Sequence, residues 1–187
     1  MKCYGLGNSL WVDPATGLLE VKLSDSSGME IIEGEGLSLQ ESQKQPVWTT
    51  WVPTLKNMTK GNGTVTARYF NQGGLIMYSF TFTLGSTSSM GTNPGFTAPT
   101  IISDWGQNSS GPIGCLTVGQ TILTDNGTIN FQGNAINYVP SSGEIWIWCL
   151  YKSATYVQNV IPSATVPFTW TTGDTIQARG WYKGPKD

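Results

Sequence analysis

The stretch DWGQNSSG, residues 104–111, is where residue types and spacing best suggest a ligand site. Asp104 and Trp105 stand side by side, and Gln107 and Asn108 follow closely. An indole offers an apolar plane on which a sugar ring can stack, while carboxylate and amide groups match sugar hydroxyls. Gly106 and Gly111 let the backbone turn sharply and present the ring outward. Trp105 is thus the candidate stacking platform, with Asp104, Gln107 and Asn108 as its hydrogen-bonding neighbours. The competing reading is a tryptophan that fills a core or an interface, as expected for most of the eight in the chain.

Catalytic chemistry is harder to find. The chain has no histidine, which removes Ser-His-Asp and Cys-His arrangements, most zinc catalysis and the usual near-neutral proton shuttle. A carboxylate pair of the glycosidase kind is the remaining option. Of 12 acidic residues, seven lie in the first 45 positions, leaving Asp104, Asp125, Glu144, Asp174 and Asp187. Asp125 in DNG and Asp174 in TGDT belong to turn sequences, where the carboxylate caps the turn. Glu144 opens a strand. No catalytic residue is assigned, and no enzymatic role or cofactor is expected.

Metal sites are equally unpromising. Cys3, Cys115 and Cys149 are far apart with no CxxC spacing, so no zinc site is expected. EGEG, residues 33–36, lacks the alternating oxygen ligands of a calcium loop. Cys115 and Cys149 lie in the apolar runs PIGCLTV and IWIWCLY. Buried free thiols are the expectation there, with a disulfide between the two as the alternative. The N-x-[ST] sequons at Asn57, Asn62, Asn108 and Asn126 read as turn chemistry.

Composition sets the class. Only 12% of residues are charged, against about 25% in an average domain. The polarity comes from Gly, Ser, Thr and Asn, which favour turns and strands over helices. The net charge of −2 gives no attraction for a polyphosphate, so no nucleic-acid partner is expected. MKCYGLGNSLWVDP contains no apolar run, so no secretory signal is expected. No stretch of about 18 apolar residues occurs, and no membrane insertion is expected.

The elements follow from this. Residues 1–45 consist of strand-like pieces, LWV, LLEVKL, MEII and LSL, separated by DPATG, SDSSG and EGEG. They are too short and thinly apolar to close a core, so this segment is expected to anchor to a partner or to copies of itself. From residue 46 to 187 the chain reads as β. TVTARYF, LIMYSFTFTL, TILTDNGTINFQ, EIWIWCLY and DTIQARGWY alternate apolar and polar residues, and NQGG and DNG are hairpin signals. Val65, Ala67 and Tyr69 share one face, as do Ile76, Tyr78, Phe80 and Phe82. Trp181 is expected to bury a large surface on folding or assembly. Residues 85–99 and 103–114 are expected to be long loops. The fold class is an all-β, jelly-roll-like antiparallel β-sandwich.

A larger pattern runs through these elements. It comprises Trp51, Pro53, Thr54, Asn57 and Thr59, residues 61–69 and Gly73, then Phe80, Phe82, residues 84–89, Phe96 and Pro99. With the ending VPFTWTTGDTIQARGWY, it resembles a domain recurrent in the structural proteins of tailed bacteriophages. The resemblance covers residues 46–182. It implies a jelly-roll-like sandwich, usually a homotrimer, displayed on the virion surface, assembled in the host cytoplasm and released by lysis. Residues 1–45 resemble the strand modules that join fibres and spikes to the particle and so imply contacts with other virion proteins. Fibre or tail-tip proteins touching a host cell-wall glycan and capsid-decoration or head-fibre proteins both fit. A stand-alone carbohydrate-binding module is the reading outside that class.

Overall fold

A computed structural model describes residues 47–103, 116–137, 143–152 and 155–185, and the backbone of four short strands within residues 9–39. The chain divides into two compact units, Met1–Pro46 and Val47–Asp187. In the first, β1 (Ser9–Val12) pairs antiparallel with β2 (Leu19–Lys22), and β3 (Met29–Ile32) with β4 (Gly36–Leu39). Such two-stranded ribbons are marginal by themselves in water.

The second unit is built on one antiparallel sheet of nine strands. In chain order these are β5 (Thr49–Thr50), β6 (Leu55–Thr59), β7 (Thr64–Gln72), β8 (Leu75–Thr83), β9 (Ser89–Thr97), β10 (Leu116–Asp125), β11 (Ile129–Asn137), β12 (Glu144–Ile147) and β15 (Thr175–Lys183). Across the sheet they run β5-β7-β8-β15-β10-β11-β12-β9-β6. A separate ribbon pairs β13 (Cys149–Lys152) with β14 (Val157–Val160). No helix occurs among the described residues. The fold is all-β and sandwich-like, but its two layers belong to one continuous hydrogen-bonded sheet that curls into a half-barrel.

The expected alternation places the core correctly. Ile76, Tyr78, Phe80 and Phe82 of β8, Ile145 and Ile147 of β12, and Ile176, Ala178 and Tyr182 of β15 are all buried. Phe80 stacks on Phe96 of β9 with ring centroids 4.0 Å apart and planes 6° from parallel. Trp51 links the two halves: its backbone N–H donates to the Ala67 carbonyl of β7, and its indole N–H to the Thr97 carbonyl of β9. NQGG forms a two-residue hairpin between β7 and β8, with Gln72 opposite Leu75 and positive φ at both Gly73 and Gly74. That is the type I′ geometry, whose twist matches the strands it joins.

Four expectations need correction. Residues 85–99 are not one long loop, because Ser89–Thr97 is β9. Its small residues mark close backbone approach: a Cβ on Gly95 would sit 2.7 Å from the Ile145 carbonyl oxygen. The DNG hairpin is a three-residue loop with positive φ only at Gly127, and the Asn126 backbone N–H is held by Asp174. EIWIWCLY breaks at Trp148, whose carbonyl accepts from the Asn134 N–H and the Thr121 hydroxyl, and β13 then leaves the sheet. Folding of the single chain does not bury Trp181, which is 54% exposed. It has the parity of Arg179, on the outer face, while Tyr182 takes the inward position.

The core is therefore made by phenylalanine, tyrosine and isoleucine, and tryptophan sits at its margins. Phe80→Ala should cost about 3–5 kcal/mol in urea denaturation, because it removes one ring of a fully buried stack. Trp181→Ala should cost less than about 1 kcal/mol, as for an exposed position.

Candidate functional site

Asp104, Trp105, Gln107 and Asn108, the residues from which the sequence suggests a sugar site, lie outside the described residues, as do Cys3, Cys115 and Asp187. Among the described residues, no group of three or more His, Cys, Asp or Glu side chains is placed to hold a metal ion. Glu144 pairs with Lys56 of β6 at 2.9 Å. Asp174 is fully buried and caps a turn: its carboxylate accepts from the backbone N–H groups of Asn126 and Thr171 and from the Thr171 hydroxyl.

The sequon asparagines within the described residues also serve the backbone. Asn57 and Asn93 both adopt positive φ, and the Asn57 amide donates to the Asn93 carbonyl beside the irregularity in the β6–β9 pairing. Asn62, in GNGT, accepts from the Thr87 backbone N–H, and its own backbone N–H donates to the Thr87 hydroxyl. The turns GNGT and GSTSS are thus clamped together. A Cβ on Gly61 would sit 2.3 Å from the Thr87 carbonyl oxygen, so only glycine allows this contact.

The most site-like feature is a groove of about 560 Å³ on the outer face of the sheet. Four strands place its centre. Arg68 of β7 and Arg179 of β15 both stand opposite Ser79 of β8, and Gln120 of β10 stands opposite Arg179. The two guanidinium-bearing strands are therefore about 10 Å apart, with only a short hydroxyl between them. Trp48, 43% exposed, lies over Arg68 with the guanidinium 5.0 Å from its ring and packs edge-on against Phe70. Trp181 flanks the other side next to Met77. The alternation of TARYF and QARGW separates Arg68 from Ala67 and Arg179 from Ala178, but does not by itself say which face is outward. Their convergence on Ser79 depends on a register between strands more than 100 residues apart, which no local pattern encodes.

A second groove, about 500 Å³ and more apolar, lies between β6 and β7 and is lined by Trp51, Pro53, Leu55 and Val65. Cys149 is a free, buried thiol. Compared with known proteins, the chain matches no family model, no curated protein and no solved structure.

Burial pushes the Cys149 thiol from 9.0 up to about 11. Burial also raises the Tyr78 and Tyr182 phenols. All three groups hold their protons more tightly folded than unfolded. For Cys149 the stability this confers is fully present below pH 9.0 and is lost as the pH rises through about 11, while the phenols, raised from 10.0, extend the loss to higher pH. The melting temperature should fall over that window. At about pH 8 iodoacetamide should modify Cys149 only after unfolding, as read by peptide mapping, because the thiolate is the reactive form.

Proposed function

We propose that this chain is a structural protein of a tailed-bacteriophage virion, a trimeric surface fibre, spike or head-decoration protein. Its β-sandwich is displayed on the particle, and residues 1–45 join it to other virion proteins. The observation that carries this reading is where the phage-like residues fall. Trp51 bridges the sheet halves, Phe80 and Phe96 form the central stack, and Asn62 and Thr87 clamp the two turns. The pattern describes a frame, as a building block requires, and contains no reacting group. A second reading, a stand-alone carbohydrate-binding module, draws on the outer groove with its exposed indoles and arginines.

Antibody-labelled electron microscopy of purified particles tests the first reading. Label at a regular position on the capsid or tail is expected, and particles free of the protein would refute it. Light scattering of the full chain should give a trimer; a stable monomer at micromolar concentration would remove the trimeric part of the proposal.

A further inference from the structure

We propose that the outer face of β7, β8, β15 and β10 binds an anionic oligosaccharide, a sugar chain carrying carboxylate or phosphate groups. The argument begins with charge. The chain as a whole has a net charge of −2. The outward positions of these four strands nevertheless hold Arg68, Arg179 and Lys183 and no acidic residue. Among the described residues neither arginine forms an ion pair. Their planar forks suit carboxylate or phosphate oxygens, and Ser79 between them leaves space for such a group to enter. Gln120 adds an amide that can donate to and accept from hydroxyls.

Shape and apolarity narrow the ligand further. Trp48 and Trp181 border the arginine row, one near the β5 edge and one on β15. Along the order β5-β7-β8-β15 that is three strand spacings, about 14 Å. Such a span suits an oligosaccharide better than a single sugar. The indoles present flat apolar surface to the C–H faces of sugar rings while the row of polar groups meets the substituents. The groove is built on paired strands, so the backbone positions that carry its side chains are fixed by the sheet register before a ligand arrives.

Other occupants fit less well. A second copy meeting this face with its own equivalent would set cations against cations with no acids to pair them. A nucleic acid would meet two arginines and a lysine here but net repulsion from the remainder of the chain. The binding proposal does not rest on a virion role, and the experiments separate the two: ligand titration reads this site, and microscopy reads the particle.

The test is titration of the full chain with four probes, followed by calorimetry and by the indole N–H signals in NMR spectra. The probes are a galacturonate tetramer, a phosphodiester-linked glucose tetramer, a neutral galactose tetramer and oligothymidylate. At least one anionic tetramer should bind about tenfold or more tightly than the neutral one, as expected for charge-assisted hydrogen bonds. Which one binds tells carboxylate from phosphate. Added salt should weaken binding, and the Trp48 and Trp181 signals should shift. Arg68→Gln combined with Arg179→Gln should weaken binding about tenfold or more with an unchanged melting temperature, since both side chains are exposed. The proposal is overturned if neither anionic tetramer binds, if the neutral tetramer binds as well, or if oligothymidylate binds more tightly than both anionic tetramers. It is also overturned if the folded double variant binds like wild type. Should that variant fail to fold, the wild-type spectra decide: shifts confined to Trp146, Trp148 or Trp170 place the ligand elsewhere and overturn the site.

Discussion

The curl of the nine-stranded sheet onto its own inner face is the constraint on which the second unit depends. A single sheet has one apolar face and must bury it against something. With no helix among the described residues to cover it, the sheet bends until β8 faces β9, and Phe80 meets Phe96. Trp51 then joins the halves by two hydrogen bonds, one to Ala67 and one to Thr97. Tyr78, packed against Trp51, Phe96 and Tyr182, fills the space between. Without the curl each of these rings would lie in water.

Closure at this distance brings turns and backbones close together, and the uncharged polar composition answers that need. A buried peptide group must find a hydrogen-bond partner. Asn62 and Thr87 provide partners between two turns, Asp174 caps the loop beside β15, and the Thr121 hydroxyl meets the Trp148 carbonyl where β12 ends. Short side chains do this in little volume. Glycine serves where even a Cβ would collide, as at Gly133, where one would come within 1.9 Å of the Trp148 carbonyl oxygen. The scarcity of charge and the abundance of Asn, Thr, Ser and Gly are two aspects of one architecture.

The same curl separates the roles of the aromatic residues. Tyr78, Phe80, Phe82, Phe96 and Tyr182 occupy inward positions of long strands, whereas the six tryptophans whose side chains are described stay half-buried or exposed. An indole in the narrow layer between the two halves would have to displace a smaller ring and find a partner for its N–H. On the outer face there is room for the larger ring, and Trp48 and Trp181 lie there beside Arg68 and Arg179. Flat apolar surface and cationic side chains therefore stand side by side on that face.

The sequence by itself determined the class and most of the inward-facing set. Alternation along β8, β12 and β15 has a period of two, which depends only on the pleat, so Ile76, Phe80, Ile147 and Ile176 could be assigned to one face from the chain alone. The glycine pair of NQGG likewise announced its hairpin, because local dihedral preference is enough to specify such a turn. Only the tertiary structure decided that residues 89–97 form a strand, since β9 is a strand through its partners β6 and β12 and not through its own composition. It alone decided that GNGT meets GSTSS. It alone brought Arg68 and Arg179 to either side of Ser79, because the register linking β7, β8 and β15 follows from burying the whole inner face at once, a condition that no local segment contains.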